Sequence, residues 1–143
     1  MLDRFRASLY ARPGGATMER SDVESYAAAW RARFQAAEQA RANRAAAARA
    51  LLPRLVQHLA ERYGVRRIWL YGSLAEGGFH EHSDIDLAAE GFPPGSAPFR
   101  AGAELDELAR PFAVDLVPLE DARPSVRAHV LRHGELLYDR DQT

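Results

Sequence analysis

The chain has 143 residues and no cysteine, which excludes disulfide bonds, thiolate catalysis and cysteine-based zinc sites. Its 19 basic residues are all arginine, so lysine chemistry is excluded as well. No apolar stretch approaches the length of a membrane span and no signal-peptide pattern opens the sequence, so we expect a cytoplasmic protein with no membrane partner. An apolar content of 47% is enough for the core of one domain.

Charge is distributed unevenly along the chain. Residues 1–67 contain thirteen arginines against six acidic residues, and residues 68–143 contain six arginines against fourteen. An acidic half is expected if it holds metal ions, whereas a basic half could face nucleic acid or an acidic protein. Solvated helix surfaces explain the arginines equally well, and no basic loop with interleaved aromatic residues is present. Direct nucleic-acid binding is therefore the weaker interpretation.

The front half of the chain predicts a flexible segment followed by helix. Residues 1–20 show no hydrophobic periodicity, and Met18 is an alternative start of translation. From Ser21 to Glu24 the sequence matches a capping box, and helix-forming residues then dominate as far as Gly64, a typical C-terminal stop.

A proline interrupts this helical stretch. Pro53 removes one backbone donor and crowds the carbonyl of Arg49, so we expect a kink or two helices that meet there. Around and beyond the proline, apolar residues at helical spacing should pack on a sheet: Leu52, Leu55, Val56, Leu59 and Tyr63.

Residues 21–50 form a predicted helical arm with an apolar stripe of its own. The stripe consists of Val23, Ala27, Trp30 and Phe34, with Tyr26 beside it. Packing into the core of the same chain is at least as good an explanation as docking on another protein or on a second copy, which would give a homo-oligomer.

A strand and a Gly-Ser turn follow the helix. Residues 67–71 alternate and are rich in β-branched and aromatic side chains, which predicts a strand that runs directly into Gly72 and Ser73. The glycine lets the backbone turn sharply and lets a ligand approach the main chain, while the Ser73 hydroxyl can cap a short helix or bind a phosphate. Backbone N–H groups at such a turn form a cradle for anions.

Three aspartates lie on predicted strands beyond this turn. In residues 84–88 the period of two places Asp84 and Asp86 on one face and apolar residues on the other, and Asp115 lies in a similar apolar strand. Carboxylates gathered at one edge of a sheet repel one another unless a cation neutralises them. Oxygen-only ligands suit Mg²⁺ or Mn²⁺, and paired ions of this kind serve phosphoryl-type transfer, with Asp115 the candidate for helping to deprotonate an attacking hydroxyl.

Two histidines, His80 and His82, lie in the loop between the turn and the aspartates. They could contact a ligand or a metal, but loop histidines are more often exposed to solvent.

The rest of the chain predicts a mixed sheet flanked by helices. A helix is expected over residues 97–110, a second from Pro124 to Gly134, and a final short strand over residues 135–138. The inner face of the second helix should consist of Val126, Val130 and Leu131.

The motifs resemble those of a known family. The pattern G-S-x-A-x-G at residues 72–77, then S-D-I-D-L at residues 83–87 and a later strand aspartate, resembles the nucleotidyltransferase superfamily that includes DNA polymerase beta. More closely, it resembles the minimal nucleotidyltransferases of bacteria and archaea. The resemblance implies a nucleotidyltransferase domain over residues 51–143, with an α+β fold in which helices and a long N-terminal helical arm flank a mixed α/β sheet.

The resemblance also implies roles for the site residues. Those implied for nucleotide binding are Gly72, Ser73 and Ser83, and those implied for metal binding and catalysis are Asp84, Asp86 and Asp115. Where many minimal members have a basic residue, this chain has Leu74 and Glu76.

For minimal members the resemblance implies an antitoxin of a toxin–antitoxin system. With Mg²⁺ or Mn²⁺, AMP would be transferred from ATP to a tyrosine of a partner ribonuclease toxin of the HEPN type. One alternative is a binding-only antitoxin with a non-catalytic nucleotide site. Another is nucleotidyl transfer to a small hydroxylated acceptor such as an aminoglycoside.

Overall fold

The computed structural model describes residues 19–142. Most of the predicted flexible segment at residues 1–20, and with it Met18, lies outside the described residues. The chain divides into two compact units, residues 1–39 and residues 40–143. No helix in the part of the chain that the structure describes is both long enough and apolar enough to cross a membrane.

Four strands and four α-helices are present in the described residues. In chain order these are α1 (Arg20–Tyr63), β1 (Arg67–Tyr71), α2 (Ser73–Glu76), β2 (Ile85–Glu90), α3 (Ala97–Leu108), β3 (Val114–Pro118), α4 (Pro124–His133) and β4 (Glu135–Asp139), with 3-10 turns at Leu119–Asp121 and Arg140–Gln142. The strands lie in the order β3-β2-β1-β4. Strand β1 is antiparallel to both of its neighbours, whereas β2 and β3 are parallel, so the predicted mixed sheet is confirmed.

Helix α1 begins two residues earlier than the predicted capping box. The Glu19 carbonyl accepts the first intrahelical bonds, from the N–H groups of Asp22 and Val23 at 3.0 and 3.1 Å. The Asp22 carboxylate in turn accepts a bond from the Glu19 N–H at 3.4 Å. Glu19 therefore caps the helix, and the predicted start at Ser21 is wrong because Asp22 reaches back across the first turn.

Of the two alternatives predicted at Pro53, two separate helices is wrong, and a kink within one helix stays a prediction. Helix α1 continues through Pro53 to Tyr63 and ends at Gly64, whose positive φ of 63° gives the predicted stop. Pro53 itself is exposed, while Leu52 and Leu55 on either side are buried. Burial of each leucine contributes roughly 1.5–3 kcal/mol, which offsets the lost hydrogen bond at the proline.

Replacing Pro53 by alanine is therefore expected to stabilise the protein. Alanine restores the N–H group missing from the helix interior, and we expect the free energy of unfolding to rise by about 2 kcal/mol. Urea unfolding at pH 7 measures the change, with Arg54→Ala as the matched exposed substitution, expected to lie within about 0.5 kcal/mol of wild type. An unfolding midpoint for Pro53→Ala at or below that of wild type would contradict this account.

The main core lies on one face of the sheet. The second half of α1 contributes the predicted stripe, in which Leu55 and Leu59 are fully buried, and Ala101 and Leu105 come from α3. The sheet contributes side chains from alternate positions of its strands: Ile68, Leu70, Ile85, Leu87 and Ala89. Asp86, which alternates with Ile85 and Leu87 along β2, therefore projects to the opposite face.

A smaller apolar cluster lies on that opposite face. Trp69 and Ala88, which are partners in β1 and β2, pack with Leu119 and with Val130 of α4. Val126 is partly buried against the cluster, as predicted, but Leu131 is 53% exposed. The prediction for Leu131 is wrong because the inner face of this ten-residue helix is narrow. Val130 is its one buried residue.

The apolar stripe of the arm remains exposed. Val23, Tyr26, Trp30 and Phe34 are between 50% and 57% exposed. Among residues 19–142, none of these four side chains belongs to the core, so the described part of the chain gives no support to the interpretation that the stripe packs there.

Candidate active site

Three side chains form a row across one face of the sheet. Tyr71, the last residue of β1, is the direct antiparallel partner of Asp86, and Asp86 is the direct parallel partner of Asp115 in β3. Direct partners on neighbouring strands project to the same face. The end of β1 and the starts of β2 and β3 therefore bring a phenol and two carboxylates together.

Asp84 lies just outside this row. It is exposed and precedes β2 by one residue, and the alternation continues beyond it, with Ile85 and Leu87 fully buried on the core face. Its charge still reaches Asp86, whose pKa it helps to raise. The structure thus pairs Asp86 with Asp115 and leaves Asp84 at the margin.

Two groups of the row, Asp86 and Tyr71, have pKa values raised above their ordinary ones. Burial and then the neighbouring charges of Asp115 and Asp84 together raise the pKa of Asp86 from 3.8 to about 6. Burial, then Asp115 and Asp86, raise the pKa of the Tyr71 hydroxyl from 10.0 to about 12. Ionisation of the Asp86 carboxyl and of the Tyr71 hydroxyl is therefore less favourable here than in water.

The turn at Gly72 is shaped around Asp86. Gly72 has a backbone φ of 73°, which residues with a side chain rarely adopt. A Cβ atom placed on it would lie 2.1 Å from Oδ2 of Asp86. The Gly72 carbonyl accepts hydrogen bonds from the N–H groups of Ala75 and Glu76, so Gly72 is the N-cap residue of α2. Only glycine fits between this turn and the Asp86 carboxylate.

Ser73 is the first residue of α2 and does not cap it. The N-cap position is occupied by Gly72, and no side chain forms a capping hydrogen bond. Of the two roles considered for the Ser73 hydroxyl, capping is wrong because the N-cap residue is the glycine before it. Phosphate binding stays a prediction.

The loop that carries Ser83 is a tight turn. The Ser83 hydroxyl accepts a hydrogen bond from the His80 N–H at 3.0 Å, and the Ser83 N–H donates to the His80 carbonyl at the same distance. The side chain of Ser83 therefore stabilises the turn that precedes Asp84. The role of Ser83 in nucleotide binding stays a prediction. His80 and His82 are exposed, as expected for loop histidines.

Arg44 of α1 holds this loop in place. Its guanidinium donates to the carbonyls of His80 and Glu81 at 3.3 and 3.0 Å. The same group lies over the Phe112 ring, 4.7 Å from its centroid, and near Phe79 at 5.8 Å. A cation from the helix therefore fixes the segment that joins the turn to the aspartates.

Arg49, one and a half turns further along α1, holds the short helix α2. It donates to the Leu74 carbonyl at 3.2 Å and to the Glu135 carboxylate at 3.0 Å. No sequence motif predicted a site role for Arg44 or Arg49, and Tyr71 was predicted only as a strand residue. A signal existed for Arg44, because it lies one turn before the buried Ala48 on the apolar stripe of the helix.

Glu76 points toward α4. Its carboxylate lies 3.1 Å from Nε2 of His129, and both side chains are partly exposed. The acidic residue that stands where many relatives have a basic one is therefore engaged with the neighbouring helix.

The carboxylate oxygens of the row are of the kind that binds a magnesium-type ion. Within residues 19–142, no group of three or more His, Asp or Glu side chains lies close enough together to hold a metal ion. Asp86 and Asp115 offer oxygen donors only, and the repulsion that raises the pKa of Asp86 is the repulsion a divalent cation would relieve. The two paired carboxylates are thus the residues that could hold such an ion, with Asp84 at the margin.

The comparisons with known proteins agree with this geometry. Residues 54–143, more than half of the chain, match the family described as Polymerase beta, Nucleotidyltransferase. The chain belongs to this family and is a nucleotidyltransferase, which confirms the resemblance seen in the motifs. No curated protein sequence matches the chain.

Solved structures with the same fold come from toxin–antitoxin complexes. A toxin–antitoxin structure with AMP-PNP is 27% identical, with a TM-score of 0.53 over 62% of this chain and 74% of that chain. A mutant MntA-HpeT toxin–antitoxin structure is 24% identical, with a TM-score of 0.54 over 63% and 74%. A third, the tri-AMPylated HEPN toxin of Shewanella oneidensis in complex with MNT antitoxin, is 22% identical, with a TM-score of 0.52 over 66% and 75%. These similarities confirm the predicted fold class.

Proposed function

We propose that this nucleotidyltransferase acts as the antitoxin of a toxin–antitoxin pair and transfers AMP from ATP to a tyrosine hydroxyl of a HEPN-type toxin. The observation that carries the proposal is the row of Tyr71, Asp86 and Asp115 beside the Gly72 turn. The toxin–antitoxin structures with the same fold, one with an ATP analogue and one with an AMPylated toxin, support the choice of nucleotide and acceptor. The reaction would take place in the cytoplasm, where ATP is supplied.

Asp86 and Asp115 are the residues that would hold Mg²⁺. When bound, the ion supplies charge neutralisation for the triphosphate and lowers the barrier to attack by the acceptor oxygen. Because Gly72 has no side chain, only main-chain atoms would face a nucleotide bound beside Asp86 at this point. Gly72, Ser73 and Ser83 would then position the triphosphate.

The acceptor side of the row is Asp115. It is exposed, whereas Asp86 is partly buried and carries the raised pKa. A large acceptor such as a protein can reach Asp115, and this carboxylate would accept the proton of the incoming tyrosine hydroxyl. The tyrosine oxygen forms a bond to the α-phosphorus, the bond from that phosphorus to the bridging oxygen breaks, and pyrophosphate leaves.

The test is transfer of label from ATP to the toxin. The chain is purified with the HEPN-type protein of its own gene neighbourhood and incubated with Mg²⁺ and ATP labelled at the α- or the γ-phosphate. We expect label on a tyrosine of the toxin from the α-position only. Asp115→Asn should lower the rate by about 100-fold or more. The control is Asp121→Asn, at an exposed aspartate in the 3-10 turn that follows β3, and it should leave the rate unchanged.

Each other outcome points elsewhere. Toxin neutralised in a tight complex without any label would replace this proposal by a binding-only antitoxin. Label on a small hydroxylated compound but not on the toxin would favour a small acceptor. Label from the γ-phosphate would mean phosphorylation and contradict nucleotidyl transfer.

A further inference from the structure

The exposed stripe of the arm has the spacing of a coiled-coil seam. Val23, Ala27, Trp30 and Phe34 follow one another at intervals of four, three and four residues, which corresponds to a heptad repeat of positions a and d. The three large side chains are each at least half exposed, although Trp30 is also contacted by the Arg33 guanidinium at 5.8 Å. A seam of this period is matched by a second helix.

We propose that the arm pairs with the same segment of a second copy, in antiparallel orientation. With a two-fold axis between positions 27 and 30, Ala27 of one copy faces Trp30 of the other, and Val23 faces Phe34. Each of the four layers then combines a small residue with a large one, so that the layers have similar volumes and leave no large void. The surface is complementary to itself, as a two-fold interface requires.

Parallel pairing does not achieve this. It would place Trp30 against Trp30 and Ala27 against Ala27 of the other copy, so an overfilled layer would lie next to an underfilled one. It would also bring Glu19 of one copy close to Glu24 of the other, and this pair of like charges would offset the attraction between Arg33 and Glu38 of the other copy.

The residues beside the seam favour the antiparallel arrangement on both edges. On one edge Glu24 of each copy faces Arg31 of the other, and on the opposite edge Tyr26 faces Arg33, a cation–π pair. Glu24 already contacts Arg20 at 3.6 Å, but both side chains are largely exposed, so this contact is weak and leaves Glu24 available. The charges and the apolar layers thus specify the same alignment.

The size of the seam sets the expected strength of the dimer. Each copy contributes three aromatic side chains, Trp30 and Phe34 in the seam and Tyr26 beside it. Each has about 150–250 Å² of surface and is about half exposed, so two copies together bury on the order of 700 Å² when they pair. That is below the roughly 1,200 Å² of a standard stable interface. We therefore expect a reversible dimer that dissociates in the micromolar range.

Sedimentation of the full-length chain tests whether the dimer exists. Between about 5 and 200 µM the mass should rise from that of a monomer to that of a dimer. Trp30→Ala should weaken dimerisation at least about tenfold, while Gln35→Ala, an exposed substitution on the opposite side of the arm, should leave it unchanged. A monomer at every concentration, or equal effects of the two substitutions, would overturn the proposal.

Cross-linking tests the orientation, and the absence of native cysteine makes the result clear. Val23→Cys and Phe34→Cys are prepared separately and then mixed under oxidising conditions. In the antiparallel dimer, position 23 faces position 34, so the mixture should form a disulfide-linked dimer of the two variants. Each variant alone should not, because its two thiols lie about 16 Å apart along the helix. Efficient cross-linking of each variant with itself would instead show parallel pairing.

Discussion

Replacing Asp86 by asparagine is expected to abolish nucleotidyl transfer and, at the same time, to make the metal-free protein more stable at neutral pH. The first effect follows from the loss of the central carboxylate of the row, and we expect the rate to fall at least about 100-fold. The second follows from the raised pKa of Asp86, which reports that its ionised form is disfavoured by burial and by the charges of Asp115 and Asp84.

The sign of the pH dependence can be worked out from that shift. Because the pKa of Asp86 rises from 3.8 to about 6 on folding, the folded protein binds more protons than the unfolded chain between these values. The stabilisation present below pH 3.8 is therefore lost as the pH rises toward 6. At pH 7 the wild type carries the full destabilisation, and asparagine, which has no charge, removes it.

The expected gain is modest in free energy but measurable. A shift of about two pKa units corresponds to about 3 kcal/mol, which we reduce to about 1–2 kcal/mol because Asp86 is only partly buried and solvent screens its neighbours. Thermal unfolding in EDTA should show a higher midpoint for Asp86→Asn than for wild type at pH 7, with a difference that narrows as the pH falls toward 4. The matched control is Asp121→Asn, with no expected difference.

Two outcomes would contradict this account of Asp86. One is an asparagine variant that is less stable than wild type in EDTA at pH 7. The other is a difference in stability that stays constant down to pH 4. Addition of Mg²⁺ should raise the unfolding midpoint of the wild type more than that of the variant, since the ion relieves the same repulsion.

The sequence predicted those elements of the fold whose signals are local. Strand β1 occupies the predicted residues 67–71, α1 ends before Gly64, and α4 begins at Pro124, because a glycine or a proline at a boundary acts on its own neighbours. The start of α1 was missed, and the sequence left open whether the helix kinks or breaks at Pro53. In both cases contacts made elsewhere, by the Asp22 carboxylate and by buried leucines, outweighed the local preference.

The candidate site divides in the same way. The period of two was enough to place Asp86 on the face opposite Leu87, but the alignment of Asp86 with Asp115 and with Tyr71 depends on how three strands are shifted against one another. The contacts of Arg44 join residues more than thirty positions apart, and no sequence pattern specifies such a pair. The roles assigned to the nucleotide-binding and metal-binding residues stay predictions.

Replacing Gly72 by alanine should have the other large effect. The added methyl carbon would lie 2.1 Å from Oδ2 and 3.0 Å from Cγ of Asp86, so the carboxylate would have to leave its place in the row. The backbone angles of Gly72, φ 73° and ψ −156°, lie in a region open almost only to glycine, so alanine there adds strain of about 1–3 kcal/mol. We expect transfer to fall at least about 100-fold and the free energy of unfolding to fall by more than about 2 kcal/mol.

Gly77 supplies the matched control for this substitution. It also has a positive φ, of 106°, but a Cβ atom placed there would meet nothing within 4 Å. Gly77→Ala should therefore show the cost of backbone strain without the collision, and transfer should largely survive.

A double-mutant cycle isolates the collision itself, because removing the Asp86 side chain makes room for a methyl group at position 72. Gly72→Ala should then cost less stability in an Asp86→Ala background than in the wild type. Equal costs in both backgrounds would mean that the contact between Gly72 and Asp86 does not set the shape of the site.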